Sequence, residues 1–527
     1  MRERVAGYGL TVAIVSAAAV IAAGCSSSPP STGTTSAVAG AARLTGSWAY
    51  PNGDLANTRD AVGSRISSAN VSRLKEAWTF KLPAAAAKNV SDTGSLAAAP
   101  VVVNGVVYLQ DLYANVYAIS LATGKLKWEY QVGVAEKTGP GPDGVTVANG
   151  VVYGTTSTTA FALNAVTGAV VWDDKSLLNS GQGSFEIQPA VANGRVYLAS
   201  AYGSGPGGGV IFALDAATGK ELWSFSTVIG AEPGANTLGL GSGGVWETPL
   251  VGTDGSVTFG TGNPYQSIGE AISHPARDLY TDSEVNLSAS TGKLRWYYQA
   301  VPDDFKDWDI QLSPISAAVG GVPAIIGGGK MGDVYAFNAA TGGLLWKTPV
   351  GVHNGHDEDS RLLLEHKLKV TLPYTYEPGP LGGVLTDMAA AGGSVYVATI
   401  DLAFTFTSMK SVNGTAAATK PTGEIEALNL NTGKVEWDTK VPSLPLGATT
   451  VSNDLLFTTL LNGELIALNR STGAIVYRQK LPATTNSPIA ITSNGILVPA
   501  GGPGKSANDN AQLVAYSIPG RRTSNSP

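Results

Sequence analysis

The sequence predicts an all-β protein, an eight-bladed β-propeller built from four-stranded antiparallel blades. A short hairpin motif occurs seven times, with most copies 40 to 51 residues apart. Repeats of this length are typical of propellers and solenoids. Of the 527 residues 65 are glycine and only 14% are charged, which favours many short strands and tight turns over helices.

Each copy of the motif is a strand, a turn and a second strand with an aromatic residue. In the third copy, the apolar run 210–214 reads as a strand and Asp215 opens the turn. Gly219 tolerates the positive φ that closes such a hairpin, and Trp223 follows four residues later. We expect the aromatic residue to pack between neighbouring sheets. The pairs are Gly124 with Trp128, Gly168 with Trp172, Gly219 with Trp223, Gly292 with Trp296, Gly342 with Trp346, Gly433 with Trp437, and Gly473 with Tyr477.

Incomplete motifs at the two ends predict how the ring closes. Trp78 has no hairpin before it, and the apolar strand at 513–517 has no aromatic residue after it. Pairing these strands would complete the eighth blade and leave no open edge. We therefore predict a propeller at 47–518. The long steps after Gly219 and Gly342 predict insertions, and loops of that size are usually functional or disordered.

The ends of the chain predict export and a lipid anchor. Arginines precede an apolar run that ends at Cys25, the only cysteine. This pattern is typical of an export signal, and Ala-Ala-Gly-Cys resembles the bacterial lipobox. We expect a signal peptide at 1–24, lipidation of Cys25, a flexible linker at 25–46 and a disordered tail at 519–527. The protein would be extracytoplasmic and anchored to a bacterial membrane, with an ordinary signal peptide or a retained helix as the alternatives.

Charge and cysteine content exclude two classes of structure. The net charge is −6 and no basic cluster occurs, which argues against a nucleic-acid surface. One cysteine cannot form an intrachain disulfide. The absence of Cys-x-x-Cys-His excludes a covalently attached haem, so any electron acceptor would be a separate molecule.

The repeats, with Pro51-Asn52-Gly53-Asp54 and Asn57-Thr58-Arg59, resemble the quinoprotein alcohol dehydrogenases over about residues 47–518. The resemblance implies an eight-bladed propeller that binds pyrroloquinoline quinone (PQQ) on its axis. Similar repeats also build non-catalytic scaffolds, including outer-membrane assembly lipoproteins. The function must therefore be argued from the site.

Oxidation of an alcohol by a quinone needs a base, a cation and groups that hold the ring. Asp307-Trp308-Asp309 resembles the end of the family stretch Pro-His-Asp-x-Trp-Asp-x-Asp. The resemblance makes Asp307 the catalytic base and a metal ligand, and makes Asp309 the acid that binds a lanthanide in some members. Two carboxylates two positions apart on an extended segment point the same way and can share Ca²⁺ or a lanthanide. A solvated acidic loop is the alternative.

Three further residues match the family's site. Asn263, in Gly-Thr-Gly-Asn-Pro, resembles a metal-binding asparagine, and Lys330 matches the basic residue that holds the quinone oxygens. Trp246 lies near the position of the tryptophan that stacks beneath PQQ. Considered alone, Trp246 could equally be a core residue, and a lysine before a strand is commonly a surface residue.

Several departures from the family favour a different function. Ser204 stands at the position of a metal-binding glutamate in the family. Asp143 stands near the position where the family has an arginine that contacts the cofactor's carboxylates. A carboxylate there would repel a tricarboxylate cofactor. Val384-Leu385 replaces an Asn-Trp pair, and the disulfide that covers PQQ cannot form. The His- and Asp-rich stretch 353–359 could bind a metal, but we expect a solvated loop.

Two functions follow from these observations. The first is a membrane-anchored, PQQ-dependent alcohol dehydrogenase that oxidises a small alcohol outside the cytoplasm. The second is a non-catalytic propeller lipoprotein that binds a protein or a glycan as a scaffold in the cell envelope. The retained site residues favour the first, and Ser204, Asp143 and the missing disulfide favour the second.

Overall fold

The computed structural model describes residues 34–37 (backbone only), 43–83, 94–132, 141–202, 208–229, 243–417, 420–503 and 511–519. The predicted signal peptide, Cys25, Ser204 and the tail after Pro519 lie outside the described residues. The division into signal, linker and propeller therefore stays a prediction. Within the predicted linker, however, residues 34–37 form a strand and Leu44 is buried.

Eight antiparallel sheets form the blades, which confirms the predicted fold class. The closing blade begins with β1 (Thr34–Ala37) and β2 (Lys75–Lys81), which flank a 3₁₀ turn at Val71–Arg73. Blade one contains β3 (Val101–Val103), β4 (Val106–Gln110), β5 (Val116–Ser120) and β6 (Leu126–Tyr130). Blade two contains β7 (Thr146–Ala148), β8 (Val151–Thr155), β9 (Ala160–Asn164) and β10 (Val170–Asp174). Blade three contains β11 (Ser184–Phe185), β12 (Ala190–Ala192), β13 (Arg195–Ala201), β14 (Val210–Asp215) and β15 (Glu221–Ser226).

The second half of the ring repeats this plan. Blade four contains β16 (Leu250–Val251), β17 (Ser256–Gly260), β18 (Ser283–Ser288) and β19 (Leu294–Gln299). Blade five contains β20 (Ile315–Val319), β21 (Val322–Gly329), β22 (Asp333–Asn338) and β23 (Leu344–Pro349). Blade six and a small three-stranded sheet interleave as β24 (Tyr374–Tyr376), β25 (Gly383–Val384), β26 (Ala389–Ala391), β27 (Ser394–Asp401), β28 (Phe404–Phe406), β29 (Thr415–Ala416), β30 (Thr422–Asn429) and β31 (Val435–Val441). Blade seven contains β32 (Thr450–Ser452), β33 (Leu455–Leu460), β34 (Glu464–Asn469) and β35 (Ile475–Lys480), and the closing blade ends with β36 (Ala490–Ile491), β37 (Gly495–Ala500) and β38 (Gln512–Ser517).

The repeated tryptophans connect each blade to the next. Trp223 donates a hydrogen bond from its indole N–H to the carbonyl of Ala289 at 3.1 Å, in the turn of blade four. Its ring lies against Gly292, where an added Cβ would stand only 2.7 Å from the indole. The same indole-to-carbonyl bond is made by Trp78, Trp128, Trp172, Trp296, Trp346 and Trp437. Each motif glycine therefore closes its own turn and leaves room for the preceding blade's tryptophan.

The two ends of the propeller meet as predicted. β2 pairs with β38 along its length, with Thr79 opposite Val514. The closing blade has the strand order β1-β2-β38-β37-β36, so β1 adds a fifth strand outside β2. Ring closure completes the last blade, while each blade remains a separate sheet with an inner and an outer edge strand.

The two predicted insertions contain structure. The first holds helix α1 (Ile268–Ser273), which Ser267 and Glu270 begin with a capping box. The second holds helix α2 (Asp359–Leu364) and contributes β24, β28 and β29. Both insertions lie around the chain segment that carries Asp307. Neither helix in the described part of the chain is long and apolar enough to cross a membrane.

Candidate functional site

Lys330 lies between the two predicted carboxylates. Its Nζ is 2.8 Å from Asp307 Oδ1 and 2.6 Å from Asp309 Oδ2, and all three side chains are almost fully buried. Asp309 Oδ1 accepts a hydrogen bond of 2.7 Å from the backbone N–H of Asn263. Four residues separated by up to 67 positions in sequence thus form one polar group.

Three chain segments bring these residues together. Asn263 follows β17, Lys330 directly follows β21, and the two aspartates lie in the loop between β19 and β20. The backbone N–H of Lys330 donates to the carbonyl of Asp309 at 3.0 Å. A Cβ at Gly262 would lie 2.7 Å from the Trp246 indole nitrogen and 2.9 Å from Asp309 Oδ1, so only glycine allows this approach.

The loop of Asp307 is not the extended segment that the sequence suggested. Asp307 has φ 61° and Asp303 has φ 57°, both in the left-handed region. The Asp304 side chain stabilises the loop by accepting from the backbone N–H groups of Lys306 at 2.8 Å and Trp308 at 2.6 Å. Asp307 and Asp309 converge because the chain turns between them, not because they share one face of a strand. Left-handed backbone is uncommon at non-glycine residues, although aspartate adopts it more readily than most.

Burial and the charge balance set the protonation of this group. Burial lowers the pKa of Lys330, but the two carboxylates outweigh it and raise that pKa above its ordinary value. Burial raises the pKa of Asp307 to about 8 despite Lys330. One ammonium faces two carboxylates, so the proton that relieves the excess negative charge resides on Asp307. Asp307 is therefore poised to exchange a proton near neutral pH.

A further pair of buried acids lies beside this group. Asp282 and Glu284 are 0% exposed, and none of their four carboxyl oxygens has a hydrogen-bond partner within the described residues. Burial raises the pKa of Glu284 to about 8. Burial, with Asp304, Asp309 and Asp307 adding repulsion, raises that of Asp282 well above its ordinary value.

A second polar group lies where the first strands of the blades meet. Arg59 is 0% exposed and donates to Asn52 Oδ1 and to the carbonyls of Thr449 and Ile489, at 2.8 to 3.0 Å. The positive charge of Arg59 interacts electrostatically with the carboxyls of Asp387 and Glu247. Four carboxyls belong to this group: Asp143, Glu186, Glu247 and Asp387. Burial raises the pKa of each, that of Glu186 to about 7. Asp143 thus belongs to an acidic axial group with one arginine.

Tyr202 and Trp246 stand between the two groups. Their rings meet edge to face with centroids 4.6 Å apart. The charges that act on the Tyr202 hydroxyl come from Glu186 on one side and from Lys330 and Asp307 on the other. The Trp246 indole N–H is buried without a hydrogen-bond partner among the described residues. Trp246 is therefore a residue of the site rather than an anchor between blades.

The His- and Asp-rich stretch is largely the exposed loop expected from the sequence, but its last residue, Asp359, is buried. His356 Nδ1 lies 2.9 Å from Asp359 Oδ2, which also accepts from the Tyr374 hydroxyl and lies 3.3 Å from Lys306 Nζ. The described residues contain no group of three or more His, Cys, Asp and Glu side chains arranged to hold a metal ion. His356 and Asp359 connect this loop to Lys306, next to Asp307.

Several site residues had no clear signal in the sequence. Asn413 lies 3.4 Å from Asp307 Oδ2 but comes from the second insertion, where no motif marks it. Lys306 stands among aromatic residues with no pattern that predicts its burial. Arg59 lies in the Asn-Thr-Arg stretch that carried the family resemblance, so the resemblance could have indicated it.

Val384 and Leu385, which replace the Asn-Trp pair of the family, have structural contacts. Val384 belongs to the core, and the carbonyl of Leu385 accepts a hydrogen bond from the Gln311 side chain at 2.8 Å.

Comparison with known proteins identifies the family. A family described as "Glucose/ethanol/alcohol dehydrogenase, beta-propeller domain", the PQQ propeller, matches residues 48–351, more than half of the chain. The chain belongs to this PQQ β-propeller family. A second family, described as "Outer membrane protein assembly factor BamB", matches residues 421–522.

Three solved propellers and one curated sequence illustrate the relationship. The quinohemoprotein alcohol dehydrogenase of Comamonas testosteroni is 28% identical over 388 residues, which are 65% of this chain and 52% of that protein. Its crystal structure superposes with a TM-score of 0.75 at 22% identity, covering 92% of this chain and 82% of that one. A europium-containing methanol dehydrogenase gives 0.72 at 19% identity, covering 90% and 98%. BamB from Moraxella catarrhalis gives 0.52 at 15% identity, covering 84% and 97%. The chain spans about half the length of the curated relative, and the structural likenesses establish the fold alone.

The described residues offer a place for a metal ion and a quinone oxygen at the Lys330 end, and a place for the PQQ carboxylates at the axial end. At the Lys330 end, two carboxylates, an amide and an ammonium match the needs of a cation and a quinone oxygen. A metal ion there would share both carboxylates with Lys330 or displace it. At the axial end, the buried carboxyls fit the carboxylates of PQQ only in the protonated state. The raised pKa of each carboxyl favours that state.

Proposed function

We propose that this PQQ β-propeller protein is a dehydrogenase that oxidises a small alcohol, with Asp307 as the base. The proposal depends chiefly on one observation, the contact of Lys330 with both Asp307 and Asp309 beside Asn263 and Trp246. The family match over 48–351 supports it. PQQ, when bound, would supply the acceptor for the two electrons of the alcohol.

Each residue of the site has a role in this proposal. Asp307 takes the proton of the alcohol hydroxyl, and its pKa of about 8 allows the carboxylate to form in mildly alkaline solution. Lys330 would hold the quinone oxygens by its positive charge. Asn263, Asp307 and Asp309 would hold Ca²⁺ or a lanthanide, and Trp246 would stack against the ring.

Reconstitution tests the proposal directly. The purified protein is mixed with PQQ and either Ca²⁺ or La³⁺, and PQQ binding and alcohol-dependent reduction of an artificial electron acceptor are measured. We expect binding with both ions, and turnover that requires PQQ and the alcohol. Absence of PQQ binding under both conditions would exclude the dehydrogenase.

Two observations favour a second function, a non-catalytic propeller that binds an envelope protein or glycan as a scaffold. Residues 421–522 match the BamB family, and the axial group has four carboxyls around one arginine. This scaffold is the function we infer if PQQ does not bind.

For both functions we propose export and anchoring through lipid on Cys25. The proposal rests on the apolar run that ends at this single cysteine. Labelling with a radioactive fatty acid, with Cys25→Ser as the control, tests it; labelling that persists in the variant would exclude this site.

A further inference from the structure

We propose that the segment 353–378 positions Asp307, through a buried ion pair between Lys306 and Asp359. The inference deepens the proposed function, because it assigns a positioning role beside the candidate base. It is independent of how PQQ or a metal is held, since Lys306 and Asp359 contact neither Lys330 nor Asp309 in the described structure.

Lys306 is a fully buried cation adjacent in sequence to Asp307. Its Nζ donates to the carbonyl of His356 at 2.5 Å and lies 3.3 Å from Asp359 Oδ2. The same ammonium lies 4.0 Å from the centre of the Trp308 ring, within the range of a strong cation–π contact. The charge of Lys306 is therefore compensated chiefly by Asp359 and the His356 carbonyl of segment 353–378, with the Trp308 ring and the carboxylate of Asp304 contributing.

Asp359 is the acidic partner of Lys306, and it also contacts Tyr374 and His356. It begins helix α2, and its carboxylate accepts from Tyr374 and lies 2.9 Å from His356 Nδ1. Loss of Asp359 would remove the ion-pair partner of a fully buried ammonium, which is unfavourable.

Two more hydrogen bonds connect the segment to the loop. The Tyr376 hydroxyl donates to the carbonyl of Lys306 at 3.2 Å, and the Trp308 indole N–H donates to the carbonyl of Pro378 at 2.9 Å. These bonds lie immediately before and after Asp307, whose backbone is left-handed. The Asp304 side chain holds the loop from within, and segment 353–378 adds these two contacts from outside it.

The test compares Lys306→Met and Asp359→Asn with control variants of another ion pair. Arg295 and Asp254 form an ion pair at 2.8 Å in blade four, and the other hydrogen-bond partner of Asp254 is Ser256, outside both 303–309 and 353–378. Arg295→Met and Asp254→Asn therefore remove a pair at a more exposed place.

Amide hydrogen exchange tests whether segment 353–378 holds the loop of Asp307, and it does not require an active enzyme. We expect both site variants to accelerate amide exchange in the peptides covering 303–309 and 353–378 together, while the control variants leave both peptides unchanged. Exchange that stays as slow as in the controls would disprove the connection, even if the protein never binds PQQ.

Kinetics measure the positioning of Asp307. We expect kcat to fall about 10- to 100-fold in each site variant while the Kd for PQQ stays within about twofold, because displacement of a reacting group by about 1 Å has such an effect. The double variant should be no slower than the slower single variant, since both changes break one interaction. Faster exchange with an unchanged kcat would disprove positioning. Absence of turnover in the wild type would disprove the proposed function instead, and leave the exchange result standing.

Discussion

Asp307 has two properties that suit a base and that the sequence alone does not reveal. Its backbone is left-handed, and burial outweighs Lys330 in raising its pKa to about 8. Asp307→Asn keeps the shape and the contact with Lys330 but cannot accept a proton. We expect turnover to fall by about 10²- to 10⁴-fold, the usual contribution of a general base. Steady-state kinetics with an unchanged circular dichroism spectrum would check this, and a variant that retains wild-type kcat would exclude Asp307 as the base.

The same carboxyl should titrate in an unusual range. Because the raised pKa keeps Asp307 protonated below about pH 8, the carboxylate should form only as the pH rises through that value. Infrared difference spectra of the metal-free protein, with Asp307→Asn as reference, should show the neutral carboxyl band disappear near pH 8. Lys330→Met removes the neighbouring cation and should move the transition to higher pH. A transition near pH 4 would contradict this reasoning.

The buried carboxyl of Glu284 affects how the stability of the whole fold depends on pH. Its pKa is about 8 in the fold, against about 4.3 in an unfolded chain. The native state therefore binds the proton more tightly, and stability falls as the pH rises from about 4 to about 8. Glu284→Gln should reduce the loss of stability between pH 5 and pH 8 by on the order of 3 kcal/mol.

Chemical unfolding at several pH values measures this effect. The exposed Glu221 on β15 provides the control, and Glu221→Gln should leave the pH dependence unchanged. A pH dependence that persists in Glu284→Gln would assign it to other acids, such as Asp303.

At the scale of the element, the hairpin motif could be predicted because it is local. The strand, the Asp/Asn/Ser turn, the glycine and the aromatic residue lie within a dozen positions, and their spacing repeats. The sequence could not reveal that each glycine also faces the preceding blade's tryptophan, since that contact spans two blades. The site was predictable only through family resemblance, and Lys306, Asn413 and the axial acids depend on how distant loops meet.

The two roles of the motif glycine can be separated within blade four. Gly292 has φ 67° and faces the ring of Trp223, whereas Gly255 has φ 77° and open space around it. Alanine at either position incurs the backbone cost of about 1 kcal/mol. Only Gly292→Ala also clashes with the indole, so it should lose about 1–3 kcal/mol more.

Denaturant unfolding of the two variants gives the difference directly. Equal losses for Gly292→Ala and Gly255→Ala would mean that the tryptophan moves without cost, and that the glycine is retained only for its turn.

At the scale of the whole molecule, closure depends on strands more than 400 residues apart. Thr79 on β2 and Val514 on β38 are buried and directly opposite each other. Cysteines at both positions, in a Cys25→Ser background, should form a disulfide under oxidising conditions, because opposite residues of antiparallel strands lie within the required distance. The bridge closes a very long loop and should stabilise the fold by about 2–4 kcal/mol. The reduced form of the same variant is the control, and failure to cross-link would mean that these strands are not paired in solution.

The convergence of the blades also places Asp143, Glu186 and Glu247 in one axial group with Arg59, in which Glu186 and Arg59 are buried and the other two are half-buried. Three carboxylates of PQQ would be repelled by ionised acids there and attracted by protonated ones, which donate hydrogen bonds. Burial raises the pKa of all three, that of Glu186 to about 7, so the protonated state gains population as the pH falls. PQQ affinity should therefore increase from pH 8 to pH 6, by up to about tenfold per pH unit for each linked proton.

Asp143→Asn imitates the protonated acid and tests this argument at a single residue. It should bind PQQ at least about tenfold more tightly than the wild type at pH 8 and show a weaker dependence on pH, because one repelling charge is permanently removed. Asp173→Asn, on the exposed outer strand of blade two, is the control and should change neither quantity. Titration of PQQ by fluorescence quenching at several pH values gives both measurements. Affinity that is independent of pH and unchanged in Asp143→Asn would show that the axial acids do not face the cofactor, and the scaffold function would then gain support.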